Sequence, residues 1–491
     1  MTWRVGIWLG LVACGGAVWT EDTAGGDGFL SGGGPDEEHG TAASDGYCGW
    51  IGHLQVSAAP ERAYAELQSV DVDCDAYAPG QETRHTLIGW EPSGALLRRE
   101  VPALGDPRLL FGDDEVVWMG ETGDGERLLR LDPGDLRELA STDLPARYWG
   151  TRTAPSRRLV AVADSLEEEL GVHLIDLSTL GVAELATGGT WAEAQWMADA
   201  DRLIAAVADV TWVVQSDGRR VVLTTEGTTP RVVMWDLSGV EVPAGAAGDP
   251  LVVPPAWEIE VPGTIASTVF SYSWIGVDPL GRYAAVPLER DEGGWTIAVV
   301  SAADGALRRV DGVAGPVAFS PDGAFFVGWS QVDQGSQLVV VDVETLERRL
   351  IPTPSYAIPS YFMSHEGTEV VVASAFGEAE LSIVDASTGE TARLGVPLGL
   401  WSFSSRLGHD EVWMTGAPAD VEGAADQLWR LDLAAGAIEA IPLDWSPGQV
   451  VWLPDADLLL LKDHDRPRMV LWDPDAREVT RELDLSLPPG P

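Results

Sequence analysis

The sequence predicts an all-β fold, a β-propeller of about eight four-stranded blades, because one strand-and-turn signature recurs along most of the chain. In each copy an apolar strand runs into Asp, a tight turn follows, and the next strand alternates in polarity. The copies that end at Asp342, Asp385, Asp432 and Asp473 are 43, 47 and 41 residues apart (342 to 385, 385 to 432, 432 to 473). This interval is typical of one four-stranded propeller blade.

A second hairpin precedes each copy. Its turn reads Ser320-Pro321-Asp322-Gly323 in one repeat and Asp278-Pro279-Leu280-Gly281 in another, and Pro, Asp and Gly suit type I turns. Two hairpins per repeat make one antiparallel blade. Complete units between Arg108 and Leu485 number eight, with an insertion expected around residues 205–268. A partial ninth copy at Leu87–Leu96 is predicted to complete or cover the ring seam, and seven blades with an extra sheet is the alternative.

The turn Phe319-Ser320-Pro321-Asp322-Gly323 resembles the bacterial WD-like propellers, including those of TolB-type proteins. This likeness covers roughly residues 85–485 and implies a fold rather than an activity. The run Asp385-Ala386-Ser387-Thr388-Gly389-Glu390 is also similar to the strand-ending motif of quinoprotein-type propellers, in one blade. The recurring Asp itself has a structural explanation, because its carboxylate can accept hydrogen bonds from turn amides.

Charge restricts the partners of this chain. The 491 residues carry 31 Lys and Arg against 77 Asp and Glu, which gives a net charge of −46. Such a surface repels phosphate backbones, so nucleic acid is not expected as a partner. We interpret the excess charge first as a source of solubility and second as an attraction for cationic partners.

The N-terminus resembles an export signal. Arg4 precedes an apolar run that is too short to span a bilayer but suits a signal peptide, and the run ends in Leu11-Val12-Ala13-Cys14. That tetrapeptide resembles the bacterial lipobox, which implies cleavage before Cys14 and lipidation of Cys14. Gly15 stands where Asp is associated with inner-membrane retention, so the outer membrane is preferred over the inner one. An ordinary signal peptide or a chance cysteine is the alternative.

Four segments are predicted. Residues 1–13 form a signal peptide, residues 14–46 a flexible Gly-rich and acidic tether, residues 47–84 an N-terminal segment, and residues 85–491 the propeller. In an oxidising compartment the pair Cys48 and Cys74 is interpreted as one disulfide, with two free thiols as the alternative.

One stretch resembles a calcium loop. Asp71, Asp73, Asp75 and Glu82 fall at positions 1, 3, 5 and 12 of an EF-hand-like pattern. The pattern lacks the Gly that makes the sharp turn, since Ala76 stands there, and the following residues read as a strand. An acidic loop is therefore the preferred interpretation, and no other cofactor is predicted.

The functional prediction is a non-enzymatic propeller, anchored to the envelope by lipid, that binds or scaffolds a protein, peptide or glycan. The sequence has no Gly-x-Ser-x-Gly elbow, no His-Glu-x-x-His and no phosphate-binding Gly-x-x-x-x-Gly-Lys. The anchor and architecture are similar to those of the lipoprotein propeller of the outer-membrane barrel-assembly machinery. The alternative is a propeller-type enzyme, such as a lactonase, a quinoprotein or a glycan-processing enzyme, with its site in the central channel.

Overall fold

The computed structural model describes residues 48–485 with internal gaps. The gaps are 52–54, 59–60, 71–83, 91–95, 103–104, 113–115, 123–124, 145–147, 165–171, 186, 188–190, 210, 215–219, 225–228, 245–249, 252, 266–274, 290–293, 333–334, 353–358, 365–368, 375–379, 407–408, 419–424, 454–455, 465 and 467. The described residues form strands and turns and contain no α-helix.

Strands follow one another in antiparallel meanders. The first three blades contain β1 (Cys48–Ile51), β2 (Gln55–Ala58), β3 (Glu61–Val70), β4 (Arg84–Trp90), β5 (Leu96–Val101); β6 (Gly105–Phe111), β7 (Val116–Thr122), β8 (Gly125–Leu131), β9 (Glu138–Leu144); and β10 (Tyr148–Thr153), β11 (Leu159–Asp164), β12 (Val172–Asp176), β13 (Gly181–Leu185).

The fourth blade carries two additions between its strands, a hairpin and a short edge strand. The middle of the chain contains β14 (Trp191–Trp196), β15 (Arg202–Ala208), β16 (Thr211–Val214), β17 (Arg220–Thr224), β18 (Arg231–Asp236), β19 (Pro250–Leu251), β20 (Trp257–Glu260); β21 (Thr264–Ile265), β22 (Gly276–Val277), β23 (Tyr283–Glu289), β24 (Trp295–Ser301), β25 (Leu307–Asp311); and β26 (Ala314–Phe319), β27 (Phe325–Val332), β28 (Gly335–Asp342), β29 (Arg348–Pro352). The edge strand β19 pairs in parallel with β13 of the third blade, and the hairpin β16–β17 forms a separate two-stranded sheet.

The last three blades include one continuous strand that the seventh and eighth blades share. They contain β30 (Pro359–Met363), β31 (Glu369–Ser374), β32 (Glu380–Asp385), β33 (Thr391–Arg406), β34 (Glu411–Pro418), β35 (Gln427–Asp432), β36 (Ala437–Ile441), β37 (Pro447–Leu453), β38 (Leu458–Asp463), β39 (Arg468–Asp473) and β40 (Glu478–Asp484). The first part of β33 pairs with β32 and is the outer strand of the seventh blade. Its second part pairs with β34 and is the inner strand of the eighth.

The described residues form nine blades, so the prediction of eight, and the alternative of seven, is wrong. The partial copy at Leu87–Leu96 belongs to a complete first blade, in which β3, β4 and β5 pair in order and β1 and β2 both pair with β3. Its third strand ends at Trp90 instead of the recurring Asp, which made the repeat look incomplete. The sheet also contains strands that precede residue 85, where the sequence predicted the propeller to begin.

Hydrophobic clusters between the blades form the core, and they show that the ring closes. Each of nine clusters among the described residues joins two consecutive blades, and the ninth joins the last blade to the first. In that closing cluster Ala65, Ile88 and Trp90 share a core with Leu460 and Met469. The two sheets at the seam are each built from one end of the chain, so the ring closes by side-chain packing between them.

Strand direction gives the ring two different faces. In a four-stranded meander the turns after the first and third strands lie at one end of the blade. The connections after the second and fourth strands lie at the other end. We call the first end the turn face, with turns such as 278–282 and 343–347, and the second the loop face, with connections such as 71–83 and 209–230. Cys48 begins the first strand, so the chain enters the propeller at the loop face.

The prediction for the recurring Asp is confirmed on the turn face. Asp385 accepts hydrogen bonds from the amides of Ser387 at 2.7 Å and Thr388 at 2.8 Å, and Asp342 accepts one from the amide of Thr345 at 2.7 Å. Asp132, Asp176, Asp236, Asp432 and Asp473 hold the same kind of bond in their own blades. Hydrogen bonds from Ser387 and Thr388 lower the pKa of Asp385, so its carboxylate stays ionised as a turn cap.

Candidate functional site

The junction between the eighth and ninth blades combines polar contacts with an apolar core. Ser402, Ser404 and Arg406 alternate along the inner part of β33, so they share the face of that strand turned to the ninth blade. The Ser402 hydroxyl bonds both the amide and the carbonyl of Val450 at 3.3 Å, and the Ser404 hydroxyl accepts from the Trp452 amide at 2.9 Å. These bonds tie the inner strands of two blades together along the channel.

Arg406 ends this row at the turn face, where its side chain is 1% exposed. Its guanidinium donates to Asp475 at 2.7 and 3.0 Å and to Asp457 at 3.2 and 3.0 Å, both in turns of the ninth blade. It also donates to Glu411 at 3.4 Å and lies 5.2 Å from the centre of the Trp452 ring. The hydrogen bonds that Arg406 donates to Asp475 lower the pKa of Asp475 and raise the pKa of Arg406.

Arg side chains also link other neighbouring blades on the turn face, with fewer hydrogen bonds than Arg406 makes. We call each such Arg, with the groups that it bonds in two blades, an Arg latch. Arg202 donates to Asp199 at 2.7 Å and to the carbonyl of Gly281 in the next blade at 3.1 Å. Arg282 repeats this arrangement one blade further, bonding Asp278 at 2.6 Å and the carbonyl of Gly323 at 2.8 Å. A Cβ at Gly281 would lie 2.1 Å from an Asp199 carboxylate oxygen, so the turn needs Gly for space as well as for its positive φ.

The loop-face end of the eighth–ninth junction has a cluster of ionisable side chains. Asp463, whose side chain is 1% exposed, accepts from Arg468 Nε at 2.5 Å and from the amide of Arg466 at 3.2 Å. The Arg468 guanidinium lies 5.0 Å from the centre of the Trp445 ring. These contacts fix the backbone of the 463–468 loop against the preceding connection.

His464 joins that loop to the eighth blade. Its Nδ1 lies 3.3 Å from an Asp426 carboxylate oxygen, and its amide donates to the Ser446 carbonyl at 2.8 Å. The imidazole is 34% exposed and Asp426 is 11% exposed, so the imidazole is reachable from solvent while its partner is largely covered. The imidazole and the neighbouring side chain of Arg466 are both polar groups exposed at this end of the junction. The arrangement provides hydrogen-bonding and charged groups on a fixed loop.

The predicted site residues fall mainly outside the described residues. Cys14, Asp71, Asp73, Cys74, Asp75 and Glu82 all lie there, so lipidation, the disulfide and the calcium loop stay predictions. Cys48 is placed in β1, where it is paired with Val70 of β3. Among the residues that the structure describes, no three His, Cys, Asp or Glu are grouped to hold a metal ion, and no helix has the length and hydropathy to cross a bilayer.

Sequence reasoning missed the eighth–ninth junction although the chain carries a signal for it. Ser402, Ser404 and Arg406 are polar at every second position of the strand, and Phe403 between the two serines is apolar. That alternation indicates a polar surface between blades rather than an apolar one. The partners Asp457 and Asp475 lie about 50 and 70 residues later (406 to 457, 406 to 475), and only the packing of the eighth blade against the ninth brings them to Arg406.

Comparisons with known proteins give distant structural likenesses only. No protein-family model matches the chain, and no curated protein matches it. Among solved structures, dihydro-heme d1 dehydrogenase NirN in complex with DHE is 19% identical, with 78% of this chain and 75% of that chain covered, at a TM-score of 0.43. Kuenenia stuttgartiensis hydrazine synthase is 11% identical over 81% of this chain and 99% of that chain (TM-score 0.38). TolB from Acinetobacter baumannii is 12% identical over 63% and 81% (TM-score 0.29). The propeller assignment therefore rests on the sheets and interblade clusters of this chain.

Proposed function

We propose that this chain is a non-enzymatic binding propeller, held at the cell envelope by a lipid on Cys14, whose loop face binds a protein, peptide or glycan. The observation that carries the proposal is the difference between the two faces. On the turn face, the recurring Asp carboxylates cap their own turns, and Arg side chains donate to groups of the neighbouring blade. On the loop face, connections such as 71–83, 165–171, 209–230 and 419–426 vary widely in length between blades.

A rigid scaffold that presents unequal loops at one end is the usual arrangement for recognition. The eighth–ninth junction supplies a fixed part of that surface, because the 463–468 loop is held by Asp463 and His464 is held by Asp426. The partner chemistry that we propose for this surface is polar, since His464, Arg466 and Asp444 are exposed there. The lipid anchor in this proposal is supported by the lipobox likeness at Leu11–Cys14, and the preference for the outer membrane is supported by Gly15 after the lipidated position.

Site-specific photo-crosslinking in the producing cells tests the binding face. A crosslinking residue at Asp444, exposed on the loop face, is compared with one at Leu280, which is 48% exposed on the turn face. We expect a discrete adduct from position 444 and none from position 280. Adducts from position 280 alone, or equal adducts from both, would contradict the proposed face.

A fractionation experiment tests the anchor separately. Wild type is expected in the membrane fraction with a lipid-sized mass increment, and Cys14→Ala is expected to lose both. A wild-type chain that keeps Met1–Ala13 and stays in the soluble fraction would remove the anchor and leave the propeller fold unaffected.

A further inference from the structure

The outer strands of the fifth, sixth and seventh blades are rich in arginine. Five arginines lie on β25, β29 and the outer part of β33: Arg308, Arg309, Arg348, Arg349 and Arg393. The outer strands β9, β13, β20 and β36 of other blades contain Asp or Glu and neither Arg nor Lys. We call the five residues the arginine rim. In a chain with a net charge of −46, they form an unusual concentration of cations.

The arginines of β25 and β29 are bonded to backbone carbonyls. The acceptors of these four side chains are the carbonyl oxygens of Pro262, Asp311, Glu344, Ala386 and Ser387. Among the described residues, none of the four has a carboxylate within ion-pair distance, whereas Arg99 on the outer strand of the first blade pairs with Glu138 at 3.3 Å. A carbonyl orients a guanidinium without neutralising its charge, so the four remain able to bind an anionic group.

The two arginines of β29 lie on opposite sides of the sixth blade. Arg348 is opposite Val341, which packs in the cluster shared with the fifth blade. Arg349 is opposite Val340, which packs in the cluster shared with the seventh blade. Leu350, which is 50% exposed, lies on the same side as Arg348. The edge of β29 is therefore flanked by a cation on each side.

The neighbouring blades add one arginine to each side. Arg308 is opposite Val299, which packs in the cluster shared with the sixth blade. Arg393 is opposite Ser382, and Val384, two residues later on the same face, packs in the other cluster of the sixth blade. Each groove beside β29 thus contains two arginines, one from each of the blades that form it.

The outer edge of β29 has no partner strand among the described residues. The third blade shows that an outer strand of this ring can accept a further strand, because β19 pairs with β13 there. Extended peptides bind to exposed sheet edges in the same way. A strand paired with β29 would direct successive side chains alternately into the two grooves that contain the arginines.

We propose that the edge of β29 binds an extended acidic peptide segment of a partner protein, which becomes a fifth strand of the sixth blade. Carboxylates of the peptide accept hydrogen bonds from the arginines in both grooves. The net charge of −46 repels acidic segments from most of the surface, so charge directs such a peptide to the arginine rim. An anionic membrane would contact only the outermost atoms of the blade and leave the strand edge unpaired. The arginine rim is separate from the loop face, so this inference does not depend on the function proposed above.

Fluorescence anisotropy of a labelled peptide with the purified full chain tests the inference. The chain carries Cys14→Ala to exclude any contribution of a lipid, and salt of about 0.15 M screens the distant carboxylates. The probe consists of repeats of Glu-Glu-Thr-Thr, which place Glu on both sides of a strand. The parent chain is expected to bind this peptide. Arg348→Gln combined with Arg349→Gln should bind it at least about tenfold more weakly, because one cation is lost from each groove.

The matched control is Arg98→Gln combined with Arg99→Gln on β5, the outer strand of the first blade. This variant loses the same charge from a strand whose Arg99 is already paired with Glu138, so it should bind the peptide like the parent. Circular dichroism checks that both double variants keep the propeller. Equal weakening by the two double variants would show a general effect of charge and overturn the proposal.

A second peptide tests the strand pairing with the parent chain alone, so its result does not depend on the folding of any variant. In this peptide Pro replaces the second Thr of each repeat, which keeps the charge but removes amides that a strand needs. We expect at least about tenfold weaker binding, and equal binding of the two peptides would overturn the proposal. Absence of binding to the first peptide would also overturn it. Binding to phosphatidylglycerol vesicles without binding to that peptide would assign the arginine rim to a lipid surface instead.

Discussion

The two sides of the ninth blade are built differently. Toward the eighth blade, Leu459 and Leu461 pack in an apolar cluster that is supplemented by Ser402, Ser404 and the buried Arg406. Toward the first blade, Leu460, from the opposite side of the same strand, packs in the cluster that closes the ring. The comparison teaches that, among the described residues, the eighth–ninth junction adds directional hydrogen bonds to an apolar cluster, whereas the described cluster at the seam is apolar.

The largest expected effect on stability comes from removing a buried leucine side chain from each side of the ninth blade in turn. Leu460 and Leu461 are both 0% exposed, and each Leu→Ala substitution leaves a cavity between two blades. We expect each to lower the free energy of unfolding by about 3 kcal/mol, measured by urea denaturation. Both leucines lie in apolar clusters, so the two cavities should be of similar size. We therefore expect the two substitutions to lower the free energy of unfolding by similar amounts. A loss confined to Leu461→Ala would show that the seam is not packed.

An effect of similar size is expected from His173 in the third blade when pH is varied. Burial lowers the pKa of His173 from 6.5 to about 4, because the charged imidazole is desolvated. Between these values the unfolded state binds a proton that the folded state does not. The free energy of unfolding should therefore fall by about 3 kcal/mol as pH drops from 6.5 to about 4. Below about pH 4, His173 is protonated in both states and should cause no further loss of stability.

The variant His173→Leu provides the control for that titration. It removes the titrating group and should flatten the stability profile across this range. An unchanged slope in the variant would contradict the assignment to His173.

A smaller effect is expected from the Arg406 network. Arg406→Met keeps an apolar stem but leaves Glu411, 12% exposed, without one of its guanidinium partners. Asp457 and Asp475 are 54% and 71% exposed and regain water, so the loss should be about 1 to 2 kcal/mol, below the range for a fully buried pair. Arg202→Met, at the fourth–fifth junction, is the matched control and should cost less because its partner Asp199 is 42% exposed and regains water. An equal or larger loss for Arg202→Met would contradict the special role of the eighth–ninth junction.

The smallest effect concerns one partner of Arg406. The guanidinium lowers the pKa of Asp475 below its usual value of 3.8, so this contact stabilises the fold above that value and is lost as pH falls through the lower folded pKa. Asp475→Asn should be slightly less stable than wild type at neutral pH, and the difference should vanish in acid. A difference that persists in acid would show that packing, not charge, is responsible.

The repeat signature was sufficient to predict the propeller and the role of the recurring Asp, because both depend on local turn chemistry at Asp385 and its counterparts. Trp196, Phe403 and Trp452 lie in or against interblade clusters, a use of large aromatic side chains that depends on packing between blades. The blade count failed at the first blade, where Trp90 replaces the expected Asp. The Arg406 network could not be predicted, because it depends on how two blades are rotated against each other.

Hydrogen exchange measured in Leu460→Ala and Leu461→Ala tests ring closure most directly. A closed nine-bladed ring predicts that Leu460→Ala speeds amide exchange in β3 and β4 of the first blade, almost four hundred residues away in sequence, because those strands line the same cluster (460 to 65). Leu461→Ala should instead speed exchange in β34 and β35 of the eighth blade. If Leu460→Ala leaves the exchange of β3 and β4 unchanged, the first and last blades do not pack together, and the account of the closed ring is wrong.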